Sequence, residues 1–337
     1  MTDYNTTEYK KQITKKMLDN NDRVSFSLVD FKNPNHNNTN IIEQEFDWLK
    51  TILRRPKIPF SFEFNESGVI DVPSMDSRYD AKISYRYDCL IVIAPDRIFV
   101  FDRKTKALLN SFEFKGVLAA VDDENDAIYT IYLAVDKYGP GHQIEKFRLG
   151  EFIRSKNEWK HSSVWCLQSP LIDNPYGLVI YSGKSERYLV VLNSFKKDLY
   201  MFHCSSGKMV EDTLFSVVPD GYSIGMIGRN QLIVGTSDLI QIYEIDDCAV
   251  EMLKPALKLI CSKPIETSEF YAIISDERDH VIMSNAKNNS IMVMRKKDLE
   301  LVKEFTKPEN SDISGLGLDM YTGELYVCYN YHVTTYK

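Results

Sequence analysis

Glycine and proline are sparse, at 15 and 12 of 337 residues, which excludes fibrous and low-complexity classes. Long apolar stretches are missing too. Runs such as Cys89–Ala94 fall far short of the about 20 residues needed to span a bilayer. The opening MTDYNTTEYKK is polar and charged, so a secretory leader is not expected. The six cysteines, at 89, 166, 204, 248, 261 and 328, include no Cys-x-x-Cys pair and follow no regular spacing. Several sit inside apolar runs, as Cys89 does before Leu-Ile-Val-Ile. They read as buried free thiols in a reducing, cytosolic or nuclear compartment. His-Glu-x-x-His and phosphate-loop motifs are absent, and the six histidines show no i,i+2 or i,i+4 metal spacing. No catalytic residue, no cofactor-binding residue and no metal ligand is therefore assigned.

Charge is unevenly spread. Of the 41 Lys/Arg and 48 Asp/Glu, ten and eight fall in residues 1–57, a net of +2, so residues 58–337 carry −9. A body this acidic repels a phosphate backbone, which disfavours nucleic acid as a partner. The acidic turns Asp122–Asp126 and Asp276–His280 offer oxygens but no converging, rigid donor set, and they read as solvated inter-strand turns.

What is abundant is aromatic and β-favouring. Aromatics make up 12% of the chain, with 20 Tyr and 17 Phe, residues that suit pleated, half-buried surfaces. Residues 1–57 stand apart as a partly helical N-terminal extension. Glu8–Leu18 reads as a short helix and Asn33–Asn40 as a polar linker. Ile41, Ile42, Phe46, Trp48, Leu49, Ile52 and Leu53 then fall on one amphipathic stripe that Pro56 terminates. That helix is expected either to dock on the main domain or to recruit a partner.

From residue 58 the helical period gives way to a repeat built on strand pairs. Leu90–Ile93 pairs with Ile98–Phe101, Ile128–Ile131 with Ile144–Phe147, and Tyr188–Leu192 with Leu199–Phe202. Leu232–Val234 pairs with Ile240–Tyr243, Val281–Met283 with Ile291–Met294, and Leu325–Val327 with Val333–Tyr336. Each pair ends in a bulky residue (Phe101, Phe147, Phe202, Tyr243, Met294, Tyr336), spaced 41 to 55 residues apart. Apolar runs before the pairs (Val117–Val121, Ser314–Leu318) and after them (Leu108–Phe114, Leu299–Phe305) complete four strands per unit. The fold class is all-β: a six-bladed β-propeller over residues 58–337. The sixth unit lacks its last strand. Ser-Phe-Glu-Phe occurs at 111–114 as the fourth strand of the first blade and again at 61–64. A strand at about 60–64 is thus expected to close the ring.

Ile313-Ser-Gly-Leu-Gly-Leu-Asp-Met-Tyr-Thr-Gly-Glu-Leu-Tyr-Val327 resembles an NHL-type propeller repeat, as do Val117–Ile131, Arg97–Phe101 and Asn288–Met294. Ala94, Asn193 and Asn285 replace the Asp of that repeat type, and Asp198 and Ser290 replace an Arg that blade one keeps as Arg97. There is no Trp-Asp repeat ending. The resemblance implies a family holding ubiquitin-ligase substrate readers, RNA-binding modules and some enzymes. The expected function is a non-catalytic, monomeric scaffold for a protein partner. The inserts Asp136–His142 and Glu151–Trp165 add Tyr138, Phe152, Trp159 and Trp165, expected either to stand exposed as interface anchors or to pack over the blade edges. The alternative is a metal-dependent hydrolase, lactonase-like, with its site in the central channel. The mostly apolar inner strands weigh against it.

Overall fold

The computed structural model describes residues 56–72, 80–136, 139–155, 159–168, 172, 175–184, 186–193, 198–210, 215–216, 221–246, 256–265, 270–306, 312–329 and 332–337. All lie in the compact unit Ile52–Lys337. The expected helices at Glu8–Leu18 and Ile41–Leu53, and Tyr138, fall outside the described residues.

The described residues form six four-stranded antiparallel sheets, a six-bladed β-propeller. Blade 1 is β2 (Asp80–Ser84), β3 (Cys89–Ile93), β4 (Arg97–Asp102) and β5 (Leu108–Glu113). Blade 2 is β6 (Gly116–Asp122), β7 (Ala127–Asp136), β8 (Gly139–Arg148) and β9 (Ser163–Gln168). Blade 3 is β10 (Pro175–Ser182), β11 (Arg187–Asn193), β12 (Asp198–His203) and β13 (Phe215–Ser216). Blade 4 is β14 (Gly221–Ile227), β15 (Gln231–Thr236), β16 (Leu239–Asp246) and β17 (Ala256–Pro264). Blade 5 is β18 (Phe270–Ser275), β19 (His280–Asn285), β20 (Ser290–Arg295) and β21 (Leu301–Thr306). Blade 6 is β22 (Gly315–Asp319), β23 (Glu324–Cys328) and β24 (His332–Tyr336), with β1 (Glu66–Asp71) as its outer strand. The inner strands β2, β6, β10, β14, β18 and β22 touch one another in that order and back to β2, which closes the ring.

The second strand of each blade is mostly apolar at consecutive positions because both of its faces are buried. In β3, Cys89, Ile91 and Ile93 pack toward blade 2 while Leu90 and Val92 pack toward blade 6. In β23, Leu325 and Val327 face blade 5, and Tyr326 and Cys328 face blade 1. The period of two thus divides one run between two interfaces. The hydrophobic core is accordingly six separate layers, one between each pair of neighbouring blades. Small residues let the inner strands approach. A Cβ at Gly225 would meet the Ile273 carbonyl oxygen at 2.8 Å.

The six bulky repeat markers are all buried. In five blades the outer strand bulges at that residue, so two outer residues oppose one. Leu109 is the extra residue opposite Phe101, Val164 opposite Phe147, Ile260 opposite Tyr243, Val302 opposite Met294 and Ser67 opposite Tyr336. In blade 3, Phe202 bridges Met209 instead. A bulge twists the strand and disrupts its ladder, which makes a poor template for edge-to-edge pairing.

The closing strand differs from the expected one. Residues 60–64 are not a strand: Phe62 and Phe64 have φ of 59° and 54°, in the left-handed region that a β-ladder does not accept. Glu66–Asp71 pairs with β24 instead, and Asn65 and Lys337 exchange backbone hydrogen bonds at its end. Phe60 and Phe64 leave the sheet to plug the layer between blades 5 and 6.

Candidate interaction face at the channel mouth

Blades 1 to 5 turn twice on the same face, between first and second strands and between third and fourth; blade 6 makes only the first of these turns, its fourth strand being β1. One backbone hydrogen bond ties the two turns together in five blades: Arg103 to Asp88, Leu149 to Asp126, Cys204 to Arg187, Ile245 to Asn230 and Lys296 to Asp279, each N–H donating to the second residue's carbonyl. Polar side chains on this face then join neighbouring blades. The buried Arg103 guanidinium is held between Asp88 of its own blade and the fully buried Asp319 of blade 6. Tyr85 accepts from the Met320 amide at 2.9 Å, and burial pushes its hydroxyl well above the usual tyrosine range. Lys106 pairs with Glu324 at 2.7 Å. Burial alone would raise the Glu324 carboxyl, but Lys106 and Lys337 hold it below its ordinary value.

The acidic turn Asp122–Asp126 belongs to this set of staples. Asp123 accepts from Ser84 Oγ at 2.5 Å and the Tyr85 amide at 2.6 Å. Asp122 pairs with Arg187 of blade 3, and Asp126 accepts from Tyr87 at 2.7 Å. It is therefore not a solvated turn; its carboxylates lock blades 1, 2 and 3 together. Asp276 caps its own turn by accepting from the Arg278 and His280 amides. Among the described residues no group of three or more His, Cys, Asp or Glu could hold a metal ion.

Of the four insert aromatics, the three that are described pack over the blade edges. Phe152, on the short helix α1 (Leu149–Arg154), is fully buried between blades 1 and 2. Trp159 packs against the same layer, 4.9 Å from the Phe114 ring, and its indole N–H donates to the Glu113 carbonyl at 3.0 Å. Trp165 lies over Gly207 and donates to the Cys204 carbonyl at 3.2 Å. An indole that finds a carbonyl on a blade edge can bury its ring there, and the insert becomes a cover for the outer strands.

The opposite face carries the starts of the inner strands. There β6, β10, β14 and β18 each begin with a bulge. In three successive blades the bulge holds a tyrosine: Tyr176, Tyr222 and Tyr271, all half-buried. The Tyr176 and Tyr222 rings meet edge to face at 5.8 Å. The composition gives no warning of this arc. The signal, in retrospect, is an aromatic followed by a small residue at each inner-strand start: Tyr-Gly, Tyr-Ser, Tyr-Ala.

The acids within the inner strands are all engaged. Asp80 pairs with Lys82 at 2.9 Å, Asp122 with Arg187, and Asp319 with Arg103. The half-buried positions of those strands otherwise hold residues such as Ile83, Leu118, Ile180, Met226, Ile274 and Leu318. Gly221-Tyr-Ser-Ile-Gly225 has the spacing of a hydrolase nucleophile elbow, yet it lies inside β14 rather than at a strand-to-helix turn. Ser223 is buried there, and the glycines serve the close approach of neighbouring blades. Of the described thiols, Cys89, Cys204 and Cys328 are buried as expected, whereas Cys261 is half-buried and Cys166 exposed. Burial pushes Cys89 up to about 12 and Cys204 to about 11, so both stay protonated.

No protein-family model matches the chain, and no curated protein does. Among solved structures, the chain is similar to the β-propeller domain of Cps50 (Swd1) from Myceliophteria thermophila, with a TM-score of 0.55 at 10% identity. The match covers 80% of this chain and 99% of that domain. At such identity the likeness concerns the fold. No described helix is long and apolar enough to cross a membrane.

Proposed function

We propose that this chain is a non-catalytic scaffold whose propeller holds a protein partner at the mouth of its central channel. The observation that carries the reading is the arc of Tyr176, Tyr222 and Tyr271. Tyrosine supplies a large, rigid ring and a polar tip with only two side-chain torsions to order, which is why it dominates binding hot spots. Three of them sit at the same bulge in neighbouring blades, on a frame that the inter-blade layers and staples hold still. The channel-metal alternative finds less support, since each inner-strand carboxylate is already neutralised by a cation. Within propellers we place the repeats nearest the NHL type, on β22, its turn and β23. The five described thiols are unpaired, which supports a reducing, cytosolic or nuclear setting.

Affinity purification with the intact chain and with a Tyr176→Ser/Tyr222→Ser/Tyr271→Ser variant tests the reading. Partners recovered by the first should be lost from the second while its melting temperature is kept. An unchanged partner set would sink it.

A further inference from the structure

Between blades 4 and 5, on the face that carries the paired turns, lies a cleft of about 260 Å³. It is smaller than the roughly 300–1,000 Å³ of cofactor and drug-sized sites, and of a size for one side chain. Three cations line it, Arg278, Lys296 and Lys297, against a single acid, Asp279. Three of the neighbouring carboxylates are occupied elsewhere. Glu277 pairs with Lys57, while Asp298 and Glu300 pair with Arg295. Glu244 lies beside Gln231 in the ladder, but it faces Lys258 on its other side. In a body of net −9, this is a local excess of positive charge.

The cleft is also built rather than loose. The Lys296 amide donates to the Asp279 carbonyl at 2.6 Å, which fixes one turn of blade 5 against the other. Arg278 is held by a hydrogen bond from Nη2 to the Lys57 carbonyl at 2.8 Å. The far wall is apolar, formed by Ile242, Ile260 and Cys261 of blade 4. Gln231 completes the lining, and its Oε1 is buried and accepts no hydrogen bond from the described residues. The wall therefore offers cations for an oxyanion and a surface for methylenes.

We propose that this cleft receives one acidic side chain of a bound peptide, an oxyanion on a short aliphatic stem; it rests on the scaffold reading only for the source of that peptide. The oxyanion meets Lys296, Lys297 and Arg278, and its stem lies on Ile242 and Ile260. Glutamate and a phosphorylated serine share this chemistry.

The test uses the full chain, ¹⁵N-labelled, and three capped pentapeptides, Ala-Ala-X-Ala-Ala, with X as Glu, phosphoserine or Gln. Saturable amide shifts at Gln231, Asp279, Lys296 and Lys297 are expected with Glu or phosphoserine and not with Gln. The tighter of the two acidic peptides names the source. A Lys296→Gln/Lys297→Gln variant with an unchanged melting temperature should bind about two- to thirtyfold more weakly, the range for two lost solvent-exposed ion pairs. Raising the salt should weaken binding as well. Equal shifts from the Gln peptide, no saturable shift at all, or full affinity in the double variant would each overturn the inference. The tyrosine variant above should still bind the acidic peptide. If the tyrosines hold a partner and the cleft binds no peptide, the cleft inference alone falls.

Discussion

At residues 111–114, Ser-Phe-Glu-Phe ends β5, with Phe112 opposite Ile98 in the ladder and Phe114 just beyond it. At residues 61–64 the same four residues form no ladder, and both phenylalanines sit at positive φ. The outcome for the rings is alike only in part. Phe112 and Phe114 both fill the layer between blades 1 and 2, whereas of the second copy Phe64, joined by the preceding Phe60, fills that between blades 5 and 6, and Phe62 packs against it half-buried. Phe64 stacks on Phe305 with centroids 4.6 Å apart and meets Tyr336 edge-on. The burial demand of the rings is local, but the backbone that satisfies it is not. The edge of β24 is already taken by Glu66–Asp71, so the earlier copy must fold back onto the blade. Each left-handed aromatic costs roughly 1–2 kcal/mol, which burial of two large rings offsets.

The comparison can be broken most severely by truncation. Deleting residues 1–71 removes both the plug and β1, whereas deleting 1–64 removes the plug alone. The first should lower the melting temperature further, since each lost ladder bond of β1 is worth about 0.5–1.5 kcal/mol in addition to the lost packing. Equal melting temperatures would mean that β1 does not close the ring. A smaller effect comes from single rings. Phe112→Ala should cost about 4–5 kcal/mol in urea unfolding, and Phe64→Ala about 3, because the plug can relax outward and the ladder cannot. A larger loss for Phe64 would reverse the ranking and make the plug the tighter site.

The smallest effect sharpens the contact between the plug segment and blade 6. Gly323 has φ of +68°, and a Cβ there would meet the Pro59 carbonyl oxygen at 2.7 Å. Gly323→Ala should cost about 1–2 kcal/mol from the backbone alone, plus the clash. In the chain lacking residues 1–64 only the backbone part should remain. Identical costs in the two backgrounds would show that Pro59 does not press on this turn.

Much of the frame follows from the sequence alone. A strand buried on both faces is apolar at most consecutive positions, so runs such as Cys89–Ile93 and Leu325–Val327 announce the second strand of a blade without help from tertiary structure. The bulky residues that close each pair are legible for the same reason, and their spacing implies six blades. Outer strands carry no such mark. Glu66–Asp71 buries only Ile70 well, so nothing in its composition distinguishes it from a loop. The repeated phenylalanines point instead to the neighbouring segment.

What the tertiary structure decided is every feature that depends on bringing distant chain together. Asp122–Asp126 becomes a staple because Ser84, Tyr85 and Arg187 arrive beside it from blades 1 and 3. Trp159 and Trp165 turn inward because the Glu113 and Cys204 carbonyls lie within reach of their indoles. Tyr176, Tyr222 and Tyr271 form an arc, and the cations of blade 5 face the apolar wall of blade 4, only once the ring has closed. Periodicity reports which faces of a strand are buried; it cannot report which neighbour buries them.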